Sequence, residues 1–552
     1  MFHGVKRAAM LALLLLGLIP ADAMAQSAAD RADPALMRRQ MEEKRPTPAP
    51  DRAAVRVQAP VQAASPAAIG TVLIGAVQVE GNVALPAAAF SPAIEPFLGR
   101  RLGPAELAEL ANAVATAARK AGYGLATAQV PQQVIRNGIL RVIVDEGRID
   151  AVEPSGSGAD AVRPFLQKLA NGRPVRTAAL ERQLLLAGDL AGVSTDGARI
   201  DRVDGRNVLH LDARRKRVAI RAGLDNWGSS PIGPLRAHLD IDVNGALFAN
   251  DQLSVGGLVT PAQPREFQFV RGAWSVPIGH DGTQVSVSGY YGHSHPGASL
   301  KGRDLDDATV GATLSLSHPL LRSRAASLWA HGDLWMLDSD LDERGALTRR
   351  DRFRSATAGL TGLGRLGKGW LRADVSITQG LTGLGATPRG DPLSSRADGG
   401  GAYTKFAFSA QYAASLGGRF SLAFGTEGQL ATRPLLSAEQ YGLGGRTFLR
   451  GYDYWEVAGD KGIAGSAELR YDLGRIAPQV QRVQLYAYGD AGSAGNLRND
   501  PGGGTLASAG GGIRVTLKHG VNASAEIGVP LKDSPFTRNP RPRLSFTLDF
   551  SF

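Results

Sequence analysis

The 552-residue chain contains no cysteine. That excludes disulfide staples, thiolate metal sites and a cysteine nucleophile together. It suits a chain that travels unfolded through an oxidising compartment, where stray thiols would cross-link. Long apolar runs are missing too: past the N-terminus no stretch reaches the ~18 residues that a membrane-crossing helix needs. Catalytic signatures are sparse. No G-x-S-x-G elbow and no H-E-x-x-H pair occurs. Gly362-x-Gly364-x-x-Gly367 matches a dinucleotide fingerprint, and Gly367-Lys368 nearly completes a phosphate loop. Gly369 stands where the metal-binding Ser or Thr belongs, and no helix start follows to receive a phosphate. His293-Ser294-His295 falls in a loop, where it offers a weak metal site and no catalytic one. No enzyme activity and no cofactor is expected.

Glycine is plentiful at 69 residues, 43% of the chain is hydrophobic, and charged residues make up 20%. Extended disorder is therefore confined to local stretches. The formal net charge of +11 would permit a nucleic-acid partner. The Arg and Lys residues are nevertheless spread along the chain without a basic, aromatic-interleaved module, so none is expected. A basic surface or lumen facing anionic lipid or polymer explains the charge equally well.

Lys6 and Arg7 form a positive n-region, Ala8 to Ile19 is an unbroken apolar h-region, and Ala23-Met24-Ala25 is an A-x-A cleavage site. About 12 apolar residues cannot span a ~30 Å hydrocarbon core, so residues 1–25 read as a secretion signal and not an anchor. In residues 26–45, Asp33-Pro34 marks a helix start, Asp capping and Pro at the first position, with a charged helix from Leu36 to Arg45. Residues 46–70, with Pro46, Pro48, Pro50, Pro60 and Pro66, form an extended linker. Composition alone favours a plain tail here over a tethered helix that docks elsewhere.

From Thr71 the texture is compact α/β. Val72 to Glu80 alternates as a strand, and Pro86–Leu98 and Pro104–Ala121 read as helices. In the second, Leu107, Leu110, Ala111, Val114 and Ala118 form one buried stripe. Strands Leu125–Val130 and Ile139–Ile149 complete a β-α-α-β-β unit over residues 71–149. The same order recurs more weakly over residues 150–213, with stripes at Val162, Phe165, Leu166, Leu169 and at Leu180, Leu184, Leu185. Strands around Ala198–Val203 and Val208–Ala213 close it, an internal duplication of architecture.

Gly122-Tyr123, Pro131-Gln132-Gln133-Val134-Ile135-Arg136-Asn137-Gly138 and Leu140-Arg141-Val142-Ile143-Val144-Asp145-Glu146-Gly147 together resemble the first POTRA domain of two-partner secretion transporters, the TpsB family (ShlB/FhaC/HecB-like haemolysin secretion/activation proteins). That family's run reads G-Y, then P-Q, then a Gly turn, then a hydrophobic strand ending E-G.

Residues 214–552 carry about sixteen segments of roughly 10 to 15 residues with strand-like alternation. The last is clearest: Leu544, Phe546, Leu548, Phe550 and Phe552 alternate with Arg543, Ser545, Thr547, Asp549 and Ser551. One face is greasy and one wet. In a soluble sandwich the greasy face would be a core; in an outer-membrane barrel it meets lipid. The long run without helices, the charged opposite face and the terminal Phe552 favour the barrel. Trp274, Trp329, Trp335 and Trp370 are candidates for its interfacial girdles. The expected fold is mainly β: a 16-stranded transmembrane antiparallel β-barrel preceded by two α/β POTRA domains.

Gly444-Gly445-Arg446-Thr447-Phe448-Leu449-Arg450-Gly451-Tyr452 lies between the eleventh and twelfth strands. It resembles the [VL]-R-G-[YF] motif of the loop that folds into the pore in this family, and Tyr488-Gly489-Asp490 resembles the family's aromatic-x-Asp motif. Parity independently puts Asp490 on the inward face with Gln484, opposite Val483, Leu485 and Ala487; the preceding strand offers Glu468, Arg470 and Asp472. The resemblance implies that Arg450 pairs with Asp490 to latch the loop inside the barrel. Gly451 and Tyr452 would fit it against the wall, with Gly444, Gly445 and Gly489 in support. Residues 26–45 fall where the family carries a pore-plugging helix, which reverses the plain-tail reading.

The resemblance implies a protein of the bacterial outer membrane with its POTRA domains in the periplasm. It would export a large, unfolded partner exoprotein of the adhesin or haemolysin kind, recognised through an N-terminal secretion signal. Outer-membrane lipids and lipopolysaccharide would surround the barrel. The alternatives are a barrel-assembly insertase of the same superfamily and a diffusive porin. Intact-mass measurement of protein recovered from membranes should place the mature N-terminus near Gln26; a mass retaining residues 1–25 would contradict the secretion signal.

Overall fold

The computed structural model describes residues 30–36, 71–135, 137–499, 503–534, 537 and 541–552. The expected secretion signal, the helix expected from Leu36 to Arg45 (beyond its first residue) and the expected linker lie outside them.

In POTRA 1, Ala76–Glu80 runs parallel to the central strand Ile139–Asp145, which pairs antiparallel with Thr127–Gln129. The helix Pro104–Lys120 covers this sheet, burying Leu107, Leu110, Ala111, Val114 and Ala118 as its stripe requires. Glu106 reaches back to the Gly103 amide at 2.9 Å, a capping contact at a helix start. The expected helix Pro86–Leu98 is instead broken into 3-10 and α pieces (Ala87–Phe90, Ser91–Ile94, Glu95–Phe97), because Pro92 and Pro96 each lack an amide to continue it. Val72 to Glu80 is likewise split into Val72–Leu73 and Ala76–Glu80.

The motif residues have structural tasks. Glu146, only 2% exposed, accepts the amides of Val83, Ala84 and Leu85 at 3.0, 2.7 and 2.7 Å, tying down the turn after the first strand. Gly147 has φ +81, and a Cβ there would sit 2.5 Å from Leu125 Cβ. Gln133 pairs its side-chain amide with both backbone groups of Arg141, at 2.8 Å each.

POTRA 2 repeats the order. Ala151–Ser155, a strand the sequence pattern did not mark, lies parallel to Arg206–Arg215, with Val193–Val203 antiparallel on the other side. The helices Ala159–Gln167 and Thr177–Gly188 pack Val162, Phe165, Leu166, Leu180 and Leu184 against it.

Sixteen antiparallel strands then close into a barrel, from Val218–Asp225 round to Arg543–Ser551, which pair with each other (Asp225 opposite Thr547, Arg221 opposite Ser551). Alternation sets the two faces. Along Val480–Gly495, Gln484, Tyr486, Tyr488 and Asp490 are buried inward while Leu485 is 41% exposed to the outside. Phe406 and Phe408 face outward likewise, on either side of inward Lys405 and Ala407. The tryptophans behave differently from the girdle expectation. Trp274 shares the outward face of Val270 and Ile278, but Trp335 is buried inside, stacked on Phe353 at 5.7 Å. Trp329 and Trp370 share the inward faces of Asp333 and Asp374. An inward aromatic cannot reach the lipid interface. The Gly362–Gly367 run ends one strand and turns into another starting at Gly369, so no helix dipole is available to a phosphate.

POTRA 2 docks on the short turns at the barrel's near end. Arg322, its side chain 2% exposed, grips Asp189 bidentately at 2.7 and 2.8 Å. Arg182 donates to the Pro319 carbonyl at 2.7 Å, Lys168 meets Asp281 at 2.6 Å, and Phe165 packs edge-on against His280. The Lys168 ammonium hydrogen bond holds the Asp281 carboxyl below the usual carboxylate range, so the pair is fully formed at neutral pH. Replacing Arg322 with Ala strands Asp189 against the barrel, a loss on the order of 3 kcal/mol for a buried pair. Trypsin should then cut the run Arg214-Arg215-Lys216-Arg217 faster than in wild type, while Arg163→Ala, an exposed site, should leave the rate unchanged.

Candidate functional site

The connection between Phe420–Ala431 and Lys461–Gly474, the eleventh and twelfth barrel strands, does not stand outside the barrel. It folds inward, forms a small hairpin (Tyr441–Leu443 with Val457–Gly459), and buries Leu443, Phe448, Leu449 and Tyr452 against inner-wall residues Ala464, Ala494 and Leu506. The loop's turn is tight. Gly444 and Gly445 have φ near +106 and +107, and a Cβ on Gly444 would lie 2.1 Å from the Asp453 carbonyl oxygen. Leu449 is itself left-handed at φ +61 and fully buried, a conformation that costs a branched residue energy and that surrounding packing must hold.

That backbone delivers Arg450 to the wall. Its Nε and Nη2 donate to Asp490 Oδ2 and Oδ1 at 3.1 and 3.0 Å, a parallel two-bond grip that Lys cannot reproduce. The Arg450 amide adds a third bond to Asp490 at 3.1 Å. Nη1 reaches Glu468 at 2.9 Å, Nη2 reaches Ser466 Oγ at 3.0 Å, and the guanidinium lies 3.4 Å over the Tyr488 ring. Arg450 is 6% exposed and Asp490 3%.

The wall extends this pair into a lattice. Arg514 holds both oxygens of Glu468 at 2.6 and 3.0 Å and stacks 3.8 Å over Tyr486. Tyr486 donates to Glu526 at 2.6 Å, and Arg470 reaches Glu468 at 2.6 Å. Three guanidinium groups thus face three carboxylates, so the buried cluster is charge-balanced. Gly451 lets the loop touch the wall: a Cβ there would meet Pro530 N at 2.7 Å and Ser508 Cβ at 3.0 Å. Tyr452 is completely buried, its hydroxyl 2.8 Å from the Lys532 carbonyl and 3.0 Å from that of Ala507.

Sequence reasoning brought Arg450, Gly451, Tyr452, Asp490, Gly444 and Gly445 to one place, and the structure sets them there. Gly489 is different. It faces outward, with nothing within 4 Å of its would-be Cβ, and gives the loop no support. Strand parity dictates this, since Gly489 neighbours inward Asp490. Arg514, Glu526 and Tyr486 were missed; alternation beside Ile513, Ile527 and Leu485 carried the signal of their inward placement.

The residues just after the motif receive the N-terminal segment. Asp33 caps its own turn, accepting the Ala35 amide at 2.7 Å, as its sequence suggests. Arg31 pairs with Asp453 and donates to the Tyr454 carbonyl at 3.2 Å, and Tyr454 donates its hydroxyl to the Leu36 carbonyl at 2.9 Å. Asp33 and Asp307 share Arg349 Nη2, each at 2.8 Å. Leu36 is buried among Trp335, Leu337, Phe353 and Trp455. Residues 30–36 therefore lie inside the barrel, on the loop.

His293 and His295 pair with Asp306 and Asp304 on the outward side, and no metal-ready cluster exists among the described residues. Removing the Arg450 side chain should speed amide exchange at Leu449–Tyr452 by at least about tenfold, equivalent to ~1.4 kcal/mol of local opening. Arg450→Lys, keeping charge but losing the two-bond grip, should fall between; equal exchange in all three proteins would contradict the anchoring.

The haemolysin secretion/activation protein family of ShlB, FhaC and HecB matches residues 207–515, and the ShlB-type POTRA domain matches residues 72–147. The outer membrane transporter CdiB of Escherichia coli is 24% identical over 483 residues, covering 83% of this chain and 79% of that protein. The heme/hemopexin transporter protein HuxB of Haemophilus influenzae (strain 86-028NP) is 23% identical over 414 residues, covering 72% and 71%. The solved structure of CdiB from Escherichia coli superposes with a TM-score of 0.76 at 20% identity, over 96% of this chain and 100% of that one. Closed barrel, paired POTRA domain and matched sequence agree: the chain belongs to the haemolysin secretion/activation protein family, with its barrel in the outer membrane and its POTRA domains in the periplasm.

Proposed function

We propose that this protein exports one large partner exoprotein of the adhesin or haemolysin kind, in unfolded form, through its own barrel. The observation that carries the reading is the Arg450–Asp490 pair inside a closed 16-stranded wall, because it makes the lumen a gated passage. A pore for small solutes needs no hinged loop held by a charge-balanced lattice. The passage is filled by two movable pieces, the loop and residues 30–36, which share contacts at Asp453 and Tyr454.

Capture of the partner's N-terminal secretion signal falls to the POTRA domains. Among the described residues, Ala76–Glu80, Ala151–Ser155 and Val193–Val203 are outer strands of their sheets. An added strand satisfies such an edge through main-chain hydrogen bonds with modest demands on sequence. The docked POTRA 2 then brings the captured segment to the mouth of the barrel. Residues 30–36 act as the plug; Arg450 and Asp490 act as the latch, and Gly451 and Tyr452 seat the loop. Folding of the cargo outside biases its passage, and lipopolysaccharide surrounds the outer loops.

A barrel-assembly insertase is the second reading, since an insertase would also carry POTRA domains and an inward loop. The plug residues inside the lumen favour export. Deleting this protein should abolish secretion of a single exoprotein and leave the abundance of other outer-membrane proteins within about twofold; a general fall in outer-membrane proteins would instead support the insertase. Arg450→Ala should insert in the membrane at normal levels and secrete poorly, and wild-type secretion by that variant would remove the latch role.

A further inference from the structure

The turns at the periplasmic end of the barrel differ in whether POTRA 2 contacts them. Turns 245–251 and 279–282 carry Asp251 and Asp281 and lie under POTRA 2, where Asn250 donates to the Ala161 carbonyl and Lys168 pairs with Asp281. Turn 323–325 is covered as well, its Arg324 amide donating to Glu181 at 2.5 Å. The remaining turns, 367–368, 418–419, 475–479 and 518–520, contain no acidic residue. Each offers one exposed cation: Lys368, Arg419, Arg475 and Lys518. Among the described residues, none of these four forms an ion pair.

Their depth is fixed by their neighbours. Leu366, Leu416 and Ile476 are 55%, 57% and 63% exposed within three residues of these cations, and Phe420, 46% exposed, follows Arg419 directly. Phe420 points outward and packs against Tyr471 with ring centres 4.8 Å apart. Tyr412 donates its hydroxyl to the Leu366 carbonyl at 3.0 Å on the same outer side. The lipid-facing apolar surface thus continues up to the turns, and the cations sit at its boundary. A Lys or Arg at that depth lays its stem along apolar surface and presents its charge to headgroups.

We propose that this arc of the barrel rim, to which no described POTRA residue forms a hydrogen bond or ion pair, binds acidic phospholipid headgroups of the periplasmic leaflet. Charge complementarity supplies the attraction, and the aromatic pair beside it supplies the interfacial footing. Turns under POTRA 2 have no access to headgroups; Asp281 there pairs with Lys168, and Asp251 holds its own turn through the Leu247 amide and the Trp274 indole. The arc would thereby hold the barrel at a set height while leaving the POTRA side free of lipid. The inference needs only a barrel in the outer membrane and stands apart from the export reading. The lumen cations described above point inward, so cargo passing through the barrel would meet those and not the rim.

Native mass spectrometry of the full chain in detergent with equimolar phosphatidylglycerol and phosphatidylcholine tests this. Wild type should retain phosphatidylglycerol at least tenfold more strongly at low salt, with the preference shrinking as salt rises. The combined variant Lys368→Gln, Arg419→Gln, Arg475→Gln and Lys518→Gln should retain the two lipids equally, losing the whole of that preference. The charge-keeping exchange (Lys368→Arg, Arg419→Lys, Arg475→Lys, Lys518→Arg) should behave as wild type. Equal retention of the two lipids, or an undiminished preference in the Gln variant, would overturn the proposal. So would binding of soluble polyglutamate to the rim without any lipid preference, which would make it a polypeptide surface.

Discussion

Hydrocarbon offers a backbone amide no water, so every N–H and C=O that crosses a membrane must find a partner within the protein. Among the described residues no helix is long and apolar enough to cross a membrane; the sheet here is closed on itself, its first and last strands meeting through Asp225 opposite Thr547. Closure decides the rest of the architecture. Alternation must send one face of each strand to lipid and the other to an enclosed lumen. The lumen is where charge can be tolerated, and the inner wall is accordingly dense in Arg, Asp and Glu. An even number of strands leaves both barrel ends on the POTRA side, which lets POTRA 2 brace against the near turns through Arg322 and Asp189.

Within that enclosure the energetics of the latch follow from partial burial. A guanidinium and a carboxylate that lose water pay for it unless both are fully hydrogen-bonded. Asp490 receives three bonds from Arg450, and Arg450 spends its other donors on Glu468 and Ser466. Tyr488 covers one face of the guanidinium, an attraction of about 1–2 kcal/mol at a desolvated site. The lattice is therefore satisfied when the loop is in. Glu468 is held by Arg514 and Arg470 as well as by Arg450, whereas Asp490 has, besides Arg450, the Ser508 hydroxyl at 3.4 Å, so Asp490 is the acid that depends on the loop.

The barrel was legible in the sequence because its signal is local. Phe546 and Thr547 show which face is which without reference to any other strand. The POTRA fold was legible through residues with strict tasks, such as Glu146 collecting three amides and Gln133 clamping Arg141. What escaped depends on pairing between distant strands. Arg514 and Glu526 join the latch only because strand register brings their side chains beside Glu468 and Tyr486. Trp335 reads as an interfacial girdle residue until parity turns it inward onto Phe353. Gly489 drew attention by sitting beside Asp490, yet adjacency in a strand means opposite faces. The two prolines that break residues 86–98 were visible, but the apolar content of the segment outweighed them.

On the proposed reading, Arg450 and Asp490 act as one unit that holds the loop in the passage. Secretion of the partner exoprotein by Arg450→Ala, Asp490→Ala and the double variant, each normalised to barrel inserted in the outer membrane, tests it most directly. Coupled residues predict that either single change lowers secretion strongly and that the double variant is no worse than the more severe single one. Losses that multiply in the double variant, or a normal level in either single variant, would contradict the account.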